Sequence, residues 1–199
     1  MRSAVVPALL AVVLASACSA TSDEPATPPT PSAGTTTPNI AVSVPPTSSQ
    51  VNKGRAPVTH DPCRELGDDV VTTAGFDPRT RQRIDRVFDT YSFVGCQFDH
   101  EERDRFGIIS PTRTLFVNST NITLEEFRAR EGQSATPTQV NGREAISYLS
   151  PEAEACYVVV ETGYGTLSVG KSVAGALTQE KPCDDMPRIA SEIDSSMLN

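Results

Sequence analysis

The placement of five cysteines constrains this chain more than any other feature. Cys63, Cys96, Cys156 and Cys183 are spread over residues 58–199, while Cys18 stands apart at the end of an N-terminal apolar run. With Cys18 set aside the number is even, as suits two disulfides in an oxidising compartment. Four cysteines allow three connectivities. There is no C-x-x-C, and the only histidines are His60 and His100. A zinc or dithiol redox centre therefore lacks its usual ligand spacing, and no metal ligands are assigned.

The N-terminus is organised for export. Arg2 supplies a short positive region, and Val5 to Ala15 form an apolar run broken only by Pro7. The run is too short for a bilayer span, which needs ~20 residues, and fits the hydrophobic region of a signal peptide over residues 1–17. It ends Leu14-Ala15-Ser16-Ala17-Cys18. Small residues directly before a cysteine resemble the lipobox of bacterial lipoproteins, with Ala15 where leucine is commoner. That resemblance implies a diacylglycerol on the Cys18 thiol and cleavage just before it. The other reading is an ordinary secreted protein; cysteine parity favours lipidation. Acyl chains at ~0.8 kcal/mol per buried CH₂ would make a lasting anchor on the outer face of the cytoplasmic membrane.

Residues 18–57 read as a lipidated tether. From residue 19 this stretch holds 8 prolines, 7 threonines and 6 serines, no aromatic residue, and only Asp23, Glu24, Lys53 and Arg55 as charges. Such a composition buries too little apolar surface to offset its chain entropy, so it is expected to be disordered. Fully extended it would reach roughly 120 Å.

Residues 58–199 are long enough for one domain with its own core. Asp61-Pro62 and Asp77-Pro78 each read as a helix start, with Asp as N-cap and Pro at the first position. The second helix would run through Ile84, Val87 and Phe88. Tyr91 to Phe98 alternates as a strand. Phe106–Ile109 and Thr114–Asn118 read as two more, with a turn near Pro111. Thr123-Leu124-Glu125-Glu126 is a capping box opening a short helix. Asn141-Gly142 signals a hairpin between Thr138–Val140 and Arg143–Leu149. Cys156–Thr162 and Thr166–Gly170 form a further strand pair. Met186, Ile189, Ala190, Ile193 and Met197 make one apolar helical stripe. The expected fold is α+β: a single domain, with an antiparallel sheet covered on one face by helices.

Asp61-Pro62-Cys63 opening a helix, Cys96 followed by Phe98, and a Cys156-Tyr157 strand before Pro182-Cys183 and a final helix form a joint pattern. Behind a lipobox and a Thr/Pro tether, it resembles a domain-of-unknown-function family of actinobacterial lipoproteins that includes LprB and LprC. The resemblance spans nearly the whole chain, with Phe98 where Trp is common. It implies location and architecture, and no activity. Of the three disulfide connectivities, the sequential pairing of Cys63 with Cys96 and Cys156 with Cys183 is favoured. Each pair would then staple one helix to a neighbouring strand, worth roughly 3 to 4 kcal/mol per loop in a chain-entropy treatment.

Other motifs have plain structural readings. Gly165-Thr166-Leu167-Ser168-Val169-Gly170-Lys171-Ser172 fits the P-loop pattern, but Thr166 to Val169 alternates as a hairpin strand and only 27 residues follow Ser172. Asp99-His100-Glu101-Glu102 reads as a solvated turn. Asn118 and Asn121 head two glycosylation sequons. A Ser/His/Asp site has no nucleophile elbow to sit on. A net charge of -8 opposes sequence-independent nucleic-acid binding. No catalytic residue, cofactor, nucleotide or nucleic acid is assigned. The expected role is a cell-surface lipoprotein, membrane-held through Cys18, whose domain binds an envelope protein or a small ligand. A lipid or small-molecule carrier is the alternative, and an envelope hydrolase a further one. A carrier predicts an apolar cavity, and a docking module an exposed apolar patch.

Overall fold

The computed structural model describes residues 38–197; the expected signal peptide over residues 1–17, Cys18 and residues 19–37 lie outside that range. Asp61 caps α1 (Pro62–Glu65), its side chain accepting from the Cys63 amide. The chain breaks at Gly67 and resumes as α2 (Asp68–Ala74), which Gly75 ends in the left-handed conformation. The single first helix expected from sequence is therefore two.

Asp77-Pro78 does not start a helix. It opens β1 (Asp77–Arg83), followed by β2 (Arg86–Val87). The Asp77 side chain accepts from the Arg79 amide, as in a cap, but the chain continues extended and pairs with β3 (Ser92–Arg103). Strand alternation puts Arg81 and Arg83 on the inner side. The buried Arg81 guanidinium meets Asp68 at 2.7 Å and donates to the carbonyls of Cys63 and Leu66. Arg83 joins Asp61 at 2.7 Å and Asp85 at 3.0 Å. Asp68 and Asp61, 13 and 22 residues away, are the long-range partners that decide the conformation where a local signal pointed the other way.

β3 pairs with β4 (Ile109–Thr120), and α3 (Leu124–Glu131) follows under the expected Thr123/Glu126 capping box. Asn141-Gly142, both at positive φ, turn β5 (Thr136–Val140) into β6 (Arg143–Ser150). β7 (Ala155–Thr162) and β8 (Gly165–Val173) form the next hairpin, and α4 (Met186–Met197) closes the described chain. The antiparallel sheet runs β1-β3-β4-β8-β7-β6-β5, with β2 also on β3.

Two apolar clusters flank this sheet. Cys96, Phe98, Leu115, Val117, Val158, Val160, Leu167 and Val169 face α1, α2 and the Met186–Met197 stripe of α4. On the opposite face Phe93, Ile146, Tyr148 and Val159 meet Leu124 and Phe127 of α3. Helices therefore cover both faces, three on one and one on the other, rather than one face alone. The reason is placement: β4 hands the chain to α3 on the side where Phe93 and Ile146 project. Both disulfides have the sequential pairing, Cys63–Cys96 joining α1 to β3 and Cys156–Cys183 joining β7 to the segment before α4.

Residues 38–57, expected as the end of the tether, lie along the domain as an extended strap. Asn39 accepts from the Asp68 amide, and the Ala41 amide donates to Asp68. Val44 packs on the core, and Arg83 donates to the Pro45 carbonyl. The Thr47 hydroxyl donates to Asp61 and the Ser48 amide to Asp85. Buried Asn52 accepts from the Ser92 hydroxyl, and Arg55 pairs with Glu126 on α3. Directed polar contacts hold this segment where apolar burial alone would not.

Candidate functional site

The β3–β4 hairpin outgrows its neighbours. β1 pairs with β3 no further than Asp99, and β8 with β4 no further than Arg113. Residues 100–112 thus stand out as a two-stranded arm, bent at its base by a bulge where Thr112 is the extra residue between His100 and Glu101 pairings. His100 fixes the base. Its Nδ1 lies 3.1 Å from the Gly75 carbonyl, which can only accept, so this nitrogen carries the proton. Its Nε2 lies 3.3 Å from Glu102. Thr114 donates to Asp99 at 2.6 Å beside it.

At the far end the chain reverses through residues 104–108. The Asp104 carboxylate accepts from the amides of Phe106 and Ile108, at 2.8 and 2.9 Å. Asp104 and Gly107 also close backbone bonds across the turn, with Gly107 at φ +83°. Arg103 donates to the Gly107 carbonyl. This well-bonded turn displays apolar side chains: Phe106 is 73% exposed, Ile108 60% and Ile109 51%. The Arg105 guanidinium sits 4.8 Å from the Phe106 ring centre.

Between the arm and the α2–β1 corner lies an open groove of about 520 Å³. Phe76 and Ile109 supply apolar floor, and Asp77, Arg79, Glu101 and Arg103 a rim of both charge signs. The Arg79 guanidinium, 2.6 Å from Asp77, holds that carboxyl below the usual carboxylate range. The β3 edge from Glu101 to Arg103 has no strand partner on the groove side among the described residues. The groove thus combines an apolar floor, a charged rim and an unpaired strand edge.

The other sequence candidates fall elsewhere. Asp99 to Arg103 is strand, not turn, and Phe106–Ile109 is the arm's tip, so the reversal expected near Pro111 sits at residues 104–108. The P-loop-like octet is the body of β8, its backbone laddered to β4 and β7. Lys171 is fully buried there, its ammonium on Glu180 and the Asp184 carbonyl, unavailable to a phosphate. His60 stacks on Tyr164 and meets Glu65 at 3.0 Å, remote in chain and partners from His100. Asn118 is buried, and the Asn121 amide donates to the Ala56 carbonyl. Cys63, Cys96, Cys156 and Cys183 are structural. A pocket of about 130 Å³ lies against Cys156–Cys183, lined by Val140, Val158 and Met186. No group of three or more His, Cys, Asp or Glu forms a metal site among the described residues. No helix among them is long and apolar enough to cross a membrane.

The sequence reading missed the arm and the groove residues Phe76 and Arg79. One signal was present: Asp104-Arg105-Phe106-Gly107 has turn chemistry, whereas Asp99 to Arg103 is polar throughout and carries no strand alternation.

The molecule is thus a disulfide-stapled α+β domain with a projecting arm. Its sequence matches the family described as "Protein of unknown function (DUF3558)" over residues 13–195, and the chain belongs to that family. No curated protein and no solved structure matches it.

Proposed function

We propose that this chain is an envelope lipoprotein of the actinobacterial group that includes LprB and LprC. It is cut after residue 17, acylated on Cys18 and held on the outer face of the cytoplasmic membrane. It acts without catalysis, as a docking module for an envelope protein. The observation that carries the docking role is the groove under the arm, where an unpaired strand edge borders an apolar floor. A partner's extended segment laid there gains main-chain hydrogen bonds from β3 and side-chain contacts from Phe76 and Ile109. The carrier reading has weaker support. The apolar pocket at Cys156–Cys183, at about 130 Å³, is well below the ~300 Å³ of ordinary ligand sites.

The test is site-specific photo-cross-linking in exporting cells, with the probe at Arg79 or Glu101 and a control at Gln139 on β5. Discrete adducts from the groove and none from Gln139 are the expected result. A groove as silent as the control would reject the docking role. Membrane retention of Cys18→Ser tests the anchor separately: retention equal to the parent would reject acylation at that residue.

A further inference from the structure

We propose that the tip of the arm seats in the interfacial layer of the same bilayer that holds the N-terminal anchor. This inference rests on the anchoring reading above. Three observations lead to it.

The first is the tip's chemistry. Phe106 and Ile108 are the most exposed large apolar side chains among the described residues and form a knob at the end of the two-stranded arm, with Ile109 behind them on the groove side. Arg103 and Arg105 flank the knob, placed to meet lipid phosphates as the apolar side chains enter. The second is the turn's own bonding. A loop entering the interfacial layer loses less water the more of its backbone polar groups are already paired. Here the amides of Asp104, Phe106, Gly107 and Ile108 and the carbonyls of Asp104, Gly107 and Ile108 are bonded within the turn and its Arg103 flank, which leaves the Arg105 amide and the Arg105 and Phe106 carbonyls to the water of the headgroup layer. The Asp104 charge is taken up by two of those amides.

The third is reach. The described chain begins at residue 38, and Asn39 is bonded to Asp68 at the start of α2. α2 spans about 10 Å to its far end, where Gly75 meets His100. The arm adds about 20 Å from His100 to Phe106. The tip therefore lies within about 40 Å of the strap's start. Residues 18–37 have a covalent span of up to about 70 Å, so the tip can touch a bilayer that also holds Cys18.

The chain has no tryptophan, so a single introduced indole reports its own position. Phe106→Trp marks the tip. Phe88→Trp marks the opposite end of β3, where Phe88 packs on Tyr91 beside Ser92. Each variant, purified with its acyl anchor, is reconstituted into phosphatidylcholine vesicles with and without brominated acyl chains. The expected result is quenching and a blue-shifted emission for the tip indole and neither for the control. Ile108→Asp in the Phe106→Trp background should reduce the quenched fraction roughly tenfold, as loss of one apolar anchor predicts. A tip indole that stays unquenched by bromolipid and open to iodide overturns the inference. So does protection that depends on envelope proteins, which would assign the tip to a protein partner.

Intact mass of the purified chain reports separately on acylation. If Cys18 carries no lipid, the anchoring reading fails. The tip is then tested on the same vesicles with the chain held by an N-terminal hexahistidine tag on nickel-chelating lipid, with the same two outcomes.

Discussion

Glu126→Gln isolates the pin that closes the strap. Glutamine can still complete the capping box with Thr123, so α3 keeps its N-terminal hydrogen bonds. What goes is the charge that meets Arg55. In the folded chain the Arg55 guanidinium, with the Thr123 amide adding to it, lowers the Glu126 carboxyl from 4.5 to about 2. Taken whole, a shift of that size corresponds to about 3 kcal/mol. The Glu126 side chain is 42% exposed and that of Arg55 29%, so solvent screening reduces the expected contribution to about 1 kcal/mol. A carboxyl depressed by folding stabilises fully above its unfolded value of about 4.5, and that stability is lost as pH falls through about 2. The variant should therefore be about 1 kcal/mol less stable at pH 6, seen as a drop of about 2–4 °C in Tm. The gap should close near pH 2. Urea unfolding across pH 2–7 measures it, and trypsin cleavage after Lys53 and Arg55 should quicken at pH 7 in the variant. Equal stability at pH 6, or a deficit that persists unchanged at pH 2, would refute the strap pin.

Three further outcomes follow from packing. Replacing Cys156 and Cys183 together by Ala should cost about 3 kcal/mol in denaturant unfolding while leaving Cys63–Cys96 intact on peptide mapping; an unchanged midpoint would deny the staple any role. Gly170→Ala places a Cβ 2.4 Å from the Tyr157 ring, so that ring must move, and a loss of about 1–3 kcal/mol is expected; full stability there would mean the ring moves freely. Phe127→Ala removes the main apolar side chain of α3 from its face of the sheet and should cost about 3–5 kcal/mol by thermal or urea unfolding. A small effect would mean that α3 is not integral to the fold.

Features with local causes were legible in the sequence. The Asn141-Gly142 turn needs two positive φ angles, and those residues supply them. The Thr123/Glu126 box and the Met186–Met197 stripe are likewise local patterns. The cysteine pairing followed from placing each pair on a helix and its neighbour. Long-range contacts were less legible. Asp77-Pro78 carries the chemistry of a helix start, yet Arg81 and Arg83 find carboxylates on Asp68, Asp61 and Asp85 only if the segment is extended. Residues 38–57 read as tether because composition counts apolar burial. Their hold comes from hydrogen bonds to Asp61, Asp68, Asp85 and Ser92. The arm was hidden because its apolar tip reads as a strand of its own, and nothing local says that β1 and β8 stop short of it.

The two disulfides each join cysteines that are consecutive in the folded domain, so their loops neither overlap nor nest. A chain threaded N-terminus first into an oxidising space presents Cys63 and Cys96 before Cys156 emerges, and then Cys156 and Cys183. If Cys18 is taken out of play by the acylation proposed above, oxidation in order of appearance yields the native bonds, with no wrong pair to undo. On that proposed route, maturation of this domain should depend on a thiol oxidant and proceed without a disulfide isomerase.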